Sequence, residues 1–220
     1  HPGSEDQLAI APLVDLLDGL PLAIELAASR VRVMPPRLLL QRMSERFKLL
    51  VSKGGRVDRQ STLRAAFDWS WDLLPPHEKA ALAQLSVFEG GFTLEAAEAV
   101  IDLTAFDDAP WTVDAVHALV DKSFVRPRDG DRFDLLVSVQ AYAAEHLKTE
   151  GRYVGSGPPA MAAAQIRAIA WFSALGPIRA VEGRCADLDN LVTACRRAVA
   201  LGDGDSAAGI AAAGEAGAAG

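Results

Sequence analysis

The chain carries one clear signal for β-structure, and helical patterns lie on both sides of it. Two short arms, 124–128 and 131–135, flank Asp129-Gly130, a dipeptide that is strongly favoured in two-residue hairpin turns. Pro127 lies inside the first arm and cannot donate a ladder hydrogen bond, so this arm is predicted to be an edge strand. The sequence therefore predicts a mainly α chain with one β-hairpin.

Helical periodicity surrounds this hairpin between residues 61 and 150. Apolar residues recur at i, i+3, i+4 and i+7 in 62–73, and a second helix is expected between Pro75-Pro76 and Gly90-Gly91. Thr93 and Thr112 are the predicted N-caps of the next two helices. A last helical face follows the hairpin and consists of Val139, Tyr142, Ala143, His146 and Leu147. This order of helices and hairpin is of the winged-helix type.

The flanking regions are also predicted to be helical. Before residue 61 we expect helices over 8–17, 21–33 and 37–47, followed by a polar, glycine-containing linker over 51–60. A Gly/Pro/Ser linker over 151–159 precedes three alanine-rich helices, 160–175, 186–201 and 205–219, with Gly176-Pro177 as a break. The last 61 residues hold 20 of the 40 alanines, and helix pairs stacked through small residues suit the opening of a helical repeat array.

Composition excludes several classes of protein. The chain has 220 residues, half of them hydrophobic, and a formal net charge of -7, so neither disorder nor coating of nucleic acid is expected. No apolar run is long enough for a membrane span, and no secretory leader is seen. Two cysteines, Cys185 and Cys195, support neither a disulfide framework nor a four-cysteine zinc site, and both are expected to be packing residues. We expect a cytoplasmic protein without membrane contact.

Three stretches together resemble a known family. Gly19-Leu20-Pro21-Leu22-Ala23 resembles the GLPLA segment of the NB-ARC, or STAND, signal-transduction ATPases. Residues 62–74 and 85–97 resemble the winged-helix region of the bacterial members, large transcriptional regulators of the kind found in actinomycetes. Residues 187–191 with 198–203 resemble the start of their tetratricopeptide-like repeats. The resemblance implies a helical lid over 1–58, a winged-helix domain over 59–150 and the first repeat helices over 151–220.

In that family an ATPase core binds nucleotide, and the lid and winged helix close over it. The resemblance implies that ADP holds the closed state, whereas ligand sensing by the repeats and exchange to ATP allow oligomerisation. No G-x-x-x-x-G-K-[ST] phosphate loop occurs in this sequence. We therefore expect a fragment of a longer protein that is not an enzyme and holds no cofactor by itself. ADP or ATP with magnesium would bind the full-length protein, whose ATPase core is the expected partner of this chain. A protein or small-molecule inducer is expected to bind the repeats, and the active protein is expected to be a homo-oligomer.

The resemblance also nominates individual residues for the nucleotide site. The proline that matches Pro21 packs against the nucleotide base in the family, which requires the missing core. Gly19 and Leu20 are assigned to the same segment, with turn geometry and packing as their main roles. Many family members carry Met-His-Asp at the end of the hairpin, where this sequence has Leu135-Leu136-Val137. The imidazole that reads the phosphates is therefore missing here.

Direct DNA binding is the first alternative function. The helix before the hairpin would read DNA, but it offers Asp114 and Asp121 against Lys122, and residues 61–150 hold 7 basic and 16 acidic side chains. Arginines on the hairpin alternate with aspartates.

A protein-interaction scaffold built on the repeats is the second alternative function. The histidines are expected on surfaces or helix faces, and of Trp69 and Trp71 one is expected in the core and one at an interface.

Overall fold

The structure is a computed structural model that describes residues 4–52, 59–182 and 186–219. Within these ranges it contains eleven helices and three short strands, so the prediction of a mainly α chain is confirmed. The residues divide into two compact units: an N-terminal unit of His1–Pro75 with Asp121–Phe124, and a C-terminal unit of Pro76–Val120 with Val125–Gly220.

The N-terminal unit is a cluster of four helices: α1 (Ser4–Leu16), α2 (Pro21–Ala28), α3 (Pro36–Ser52) and α4 (Arg59–Asp72). Helix α1 packs against α3, and α2 packs against α4. Leu17, Leu39 and Met43 are fully buried in the common core, together with Ala66 and Trp69 of α4. Burial of these apolar side chains is the main source of stability in the unit.

Several helix boundaries in this unit differ from the prediction. The second helix was expected to reach Val33, but α2 ends at Ala28 and turns follow. The amides of Arg30 and Val31 bond to carbonyls three residues back, which tightens the chain beyond a regular helix. Both ends of the predicted 51–60 linker are helical, since α3 runs to Ser52 and α4 begins at Arg59; residues 53–58 lie outside the described part of the chain.

The grouping of α4 differs from the predicted domain boundaries as well. The winged-helix domain was expected to begin at residue 59, whereas α4 shares the core of the helices that precede it. The prediction rested on sequence resemblance, and the amphipathic pattern of 62–73 does not say which neighbour its apolar face meets. The boundaries 1–58, 59–150 and 151–220 stay predictions.

The C-terminal unit begins with a winged-helix order of elements. It contains α5 (Pro76–Leu85), β1 (Phe92–Thr93), α6 (Leu94–Val100), α7 (Thr112–Asp121), β2 (Arg126–Arg128), β3 (Arg132–Asp134) and α8 (Val137–Lys148). The antiparallel sheet has the order β1-β3-β2, with Phe133 opposite both Phe92 and Pro127. The hairpin is confirmed and Pro127 lies on an edge strand, but the sequence prediction missed β1. Two residues are too few to show an alternating pattern.

Of the two predicted N-caps, one is confirmed and one is wrong. The Thr93 hydroxyl accepts a hydrogen bond from the Ala96 amide at 3.3 Å, so this cap is confirmed. Helix α7 instead begins at Thr112 itself, and the N-cap position is Trp111, whose carbonyl accepts from the Ala115 amide at 3.1 Å. Thr112 therefore lies inside the first turn.

Three alanine-rich helices complete the C-terminal unit: α9 (Pro158–Glu182), α10 (Leu188–Ala200) and α11 (Gly204–Ala219). The break expected at Gly176-Pro177 is wrong, because α9 continues through it. Ala168 and Phe172 are buried, and α9 packs extensively on α11, so tertiary packing outweighs the local signal. Phe172 also meets the ring of Phe88 edge-on at 6.2 Å, which joins α9 to the winged-helix elements.

Candidate functional site

The Gly19–Pro21 segment forms the turn between α1 and α2. Gly19 has a φ of 63° and its amide bonds to the carbonyl of Val14 at 3.1 Å, which closes the end of α1. Leu20 takes the N-cap position of α2 and packs on the core, and Pro21 starts the helix as predicted. Pro21 is exposed, so its ring is free to contact a further domain.

An apolar groove lies on the same unit. Its volume is about 520 Å³, and its walls come from α1, α2 and the turn that follows α2. Ile10, Val14, Ile24 and Val31 are among the side chains that face it. Val33, in the turn after α2, is 81% exposed. This surface has the apolar character of a docking face.

Arginines of the hairpin are paired with carboxylates within the C-terminal unit. Arg126 binds Asp134 through two hydrogen bonds of 3.1 and 3.2 Å, and Arg128 donates to the same carboxylate at 2.7 Å. Arg132 binds Asp187 at 2.8 and 3.2 Å. Two-pronged guanidinium–carboxylate pairs are strong and directional. These cations are therefore engaged with protein carboxylates rather than presented to a nucleic-acid backbone.

Helix α7 also offers little to a DNA duplex. Its buried face consists of Ala115, Val116 and Leu119, and Asp114 and Asp121 lie in its first and last turns. Trp111 stands before the helix with 82% of its surface exposed. An exposed tryptophan beside acidic residues is better suited to a protein contact than to phosphates.

A polar joint connects the winged-helix elements to α10. The Asn190 side chain is 2% exposed; it accepts from the Glu89 amide at 2.6 Å and donates to the Gly91 carbonyl at 2.7 Å. It also donates to the Asp187 carboxylate, which holds Arg132. We call these five residues the joint. It ties the strand β3 and the turn before β1 to the start of α10.

The turn at this joint requires glycine. Gly90 and Gly91 have φ values of 75° and 95°. A Cβ on Gly91 would lie 2.6 Å from the Phe133 carbonyl oxygen, and one on Gly90 would lie 3.1 Å from the Asp189 carboxylate. The close approach of two backbone segments explains the glycine pair better than its predicted role as a helix stop alone.

A cavity of about 420 Å³ opens beside the joint. It is lined by the hairpin arginines, the glycine turn and Leu135-Leu136-Val137. Val137 begins α8 and is 80% exposed. Gln140 donates to the Phe88 carbonyl at 2.7 Å and thereby fixes α8 to the end of the preceding loop.

A second, smaller cavity of about 190 Å³ is lined by Arg167 of α9, by Gln84 and Asp102, and by the loop at Tyr153. Arg167 donates to the Val100 carbonyl and to Gln84 Oε1, both at 2.7 Å. Hydrogen bonds from Thr104 hold the pKa of Asp102 below its usual range. Burial raises the pKa of Tyr153 to about 12. The sequence pattern gave no signal for this cluster.

The structure corrects the expectation that one of Trp69 and Trp71 lies at an interface, and it confirms that His146 lies on the apolar face of α8. Trp69 and Trp71 are both buried, at 6% and 4% exposure. His146 is buried too, against the ring of Tyr142 at 4.4 Å between centroids. Cys195 is a free thiol of intermediate exposure, and Cys185 lies outside the described residues.

Neither a metal centre nor a membrane span is found in the described part of the chain. No group of three or more His, Cys, Asp or Glu side chains there is arranged to hold a metal ion. Over the same residues, no helix combines the length and apolar character needed to cross a membrane.

Comparison with known proteins finds relatives in mycobacteria, some of which are named as putative transcriptional regulators. "Putative HTH-type transcriptional regulator Rv0890c" of Mycobacterium tuberculosis strain H37Rv is 42% identical over 148 residues, which are 65% of this chain and 17% of that protein. "Uncharacterized protein Rv0894" of the same strain is 38% identical over 154 residues, which are 67% of this chain and 39% of that protein. No family model and no solved structure gives a significant match. The chain thus spans less than half the length of these relatives, and its similarity to them is consistent with a role in the regulation of transcription.

Proposed function

We propose that this chain is the regulatory segment of a nucleotide-switched transcriptional regulator of the STAND kind. In this proposal the N-terminal unit closes over ADP held by an ATPase core outside the chain. The winged-helix elements and the alanine-rich helices relay the input of a sensor to that lid. A cytoplasmic setting and a magnesium-bound nucleotide on the core belong to the same proposal.

The joint is the observation that carries the proposal. A winged helix that reads DNA needs free cations on its hairpin and its recognition helix. Here each of the three hairpin arginines is paired with Asp134 or Asp187, and Asn190 ties the sheet to α10. A module whose polar side chains are used for internal docking is suited to transmit movement between its neighbours.

The exposed Pro21 ring supports the lid role. A rigid apolar ring at a helix start can pack against a nucleotide base without a loss of side-chain entropy. We expect Pro21→Ala, in the protein extended by its ATPase core, to speed the release of ADP by about tenfold, equivalent to ~1.4 kcal/mol. Gly19→Ala serves as the control for turn strain, because its φ of 63° is unfavourable for alanine while no atom lies within 4 Å of the added Cβ. An unchanged ADP release rate in Pro21→Ala would overturn the assignment of that residue.

Direct DNA binding is the competing function, and it is consistent with the names of relatives that are called putative HTH-type transcriptional regulators. A mobility shift with duplex DNA at low and moderate salt separates the two. The parent chain is expected to give no shift at either salt concentration. Asp134→Asn tests whether the hairpin arginines can bind DNA once they are unpaired, since it removes the carboxylate that holds Arg126 and Arg128. A salt-dependent shift by the parent chain would favour the DNA-binding function.

A further inference from the structure

The cavity at Arg167 combines a cation and an anion that are only loosely paired. Arg167 Nη1 and Asp102 Oδ2 are 3.9 Å apart, which is longer than a hydrogen bond. The other two nitrogens of the guanidinium, Nε and Nη2, donate to the Val100 carbonyl and to Gln84 Oε1 and fix its plane. Asp102 is anchored on its other oxygen by the Thr104 amide and hydroxyl, at 3.0 and 2.7 Å. Arg167 Nη1 and Asp102 Oδ2 therefore remain for a ligand at the mouth of the cavity, where the two side chains are 29% and 46% exposed.

The Tyr153 hydroxyl adds a donor to the same cluster. Its oxygen is buried and has no hydrogen-bond partner within the described residues. The loop that carries it is held by Ser156, whose hydroxyl accepts from the amides of Arg152 and Tyr153 at 2.9 and 3.2 Å. The predicted 151–159 linker is thus a built turn that ends at the start of α9. A buried hydroxyl without a partner is unfavourable, and a bound acceptor that reaches it by displacing neighbouring side chains would satisfy it.

The rest of the cavity wall is apolar. Ala80, Phe106 and Val154 line it, along with small side chains of α9. A ligand that fits this wall needs an aliphatic or aromatic body. A simple carboxylate would be repelled by Asp102, and a simple amine would be repelled by Arg167. A ligand that carries an ammonium group and a carboxylate on the same carbon satisfies each of them.

We propose that this cavity binds a small apolar α-amino acid as its zwitterion, with the carboxylate on Arg167 and Tyr153 and the ammonium group on Asp102. The cavity lies where α9, the first alanine-rich helix, contacts the winged-helix elements. Its role as an input to the regulator rests on the proposed function, whereas binding itself does not. Binding can therefore be tested without nucleotide or DNA.

The test is isothermal titration calorimetry of the chain with L-leucine, L-valine and L-phenylalanine at millimolar concentration. Each amino acid is paired with its deaminated acid and its decarboxylated amine. We expect saturable binding of at least one amino acid and an affinity at least about tenfold lower for both of its partial analogues. The proposal is overturned if none of the three amino acids binds, or if a partial analogue binds as tightly as the parent amino acid.

Two variants test the assigned contacts. Tyr153→Phe removes only a hydroxyl that lacks a partner in the described structure, so the fold is expected to persist while affinity falls about five- to tenfold. Asp102→Asn keeps an oxygen for Thr104 but removes the charge, so it is expected to weaken the amino acid and strengthen the deaminated acid. Asp107→Asn, an exposed aspartate outside the cavity, is the matched control and should leave both affinities unchanged. Equal binding of the amino acid by the parent and Asp102→Asn would refute the assignment.

Failure of this proposal and failure of the proposed function give different results. Absence of amino-acid binding leaves the effect of Pro21→Ala on ADP release untouched. Conversely, a chain that binds leucine but shows no dependence of ADP release on Pro21 would support the amino-acid site and contradict the lid role of the N-terminal unit.

Discussion

Removal of the Asn190 amide gives the sharpest test of the joint. Asn190→Ala leaves the buried Gly91 carbonyl and the part-buried Glu89 amide without their partner. A buried carbonyl that loses its hydrogen bond costs about 2–3 kcal/mol, and the part-buried amide, which can reach water, costs about 1 kcal/mol. Asp187 loses one of its bonds as well but keeps Arg132. We therefore expect the C-terminal unit to lose about 3–4 kcal/mol of unfolding free energy.

The assay combines urea denaturation, followed by circular dichroism, with hydrogen exchange of the peptide that contains Glu89 and Gly91. The variant should lower the urea midpoint and accelerate exchange of the Glu89 amide before the amides of α5 respond. Val192→Ala is the matched control on the same helix; Val192 is 41% exposed and should change stability by less than about 0.5 kcal/mol. If Asn190→Ala is no more destabilising than this control, then the joint is not formed in solution and the relay argument fails.

Further predictions concern backbone strain, the core and pH. Gly91→Ala should destabilise the C-terminal unit by at least about 2 kcal/mol, because its Cβ would lie 2.6 Å from a backbone oxygen, whereas Gly130→Ala, with open space, should cost only the ~1–2 kcal/mol of left-handed strain; thermal unfolding compares them. Leu82→Ala, at a fully buried position, should cost about 2–5 kcal/mol in urea, and Trp111→Ala, at 82% exposure, should leave stability within about 0.5 kcal/mol. Tyr153 should ionise near pH 12 in an absorbance titration. Because its folded pKa is raised above the ordinary value of 10, its contribution to stability should be complete below pH 10 and lost as the pH rises to about 12; ionisation at pH 10 in the folded chain would contradict its burial.

Local signals in the sequence predicted the parts of the fold that local chemistry determines. Asp129-Gly130 set the hairpin, Thr93 capped its helix, and Pro127 marked an edge strand. The helix break expected at Gly176-Pro177 failed because α9 gains its stability from packing on α11, which no local window contains. The prediction omitted strand β1 for a related reason, since its two residues become a strand only by pairing with β3.

The joint and the Arg167 cavity could not be predicted from the sequence. Asn190 bonds to residues about a hundred positions earlier, and Arg167 bonds to Gln84 across a separation of 83. Such pairs carry no periodicity or spacing that a single sequence displays. Residues 187–191 were noticed only through their resemblance to a repeat, and that resemblance does not say that Asn190 and Asp187 hold the winged-helix elements.

The acidity of the middle of the chain acquires a structural meaning from these contacts. Its 16 acidic side chains against 7 basic ones argued against DNA as a matter of net charge. Asp134 shows that part of this acidity acts locally, because one carboxylate engages both Arg126 and Arg128. The third hairpin arginine, Arg132, is held by Asp187 at the start of α10. A movement of α10 that separates this pair would therefore free one arginine and strain the Asn190 bonds at once, whereas the Asp134 pairs would stay intact. Since a single released cation is far fewer than the several phosphate contacts that nucleic-acid binding needs, displacement of α10 would change how the sheet docks without turning the hairpin into a DNA reader.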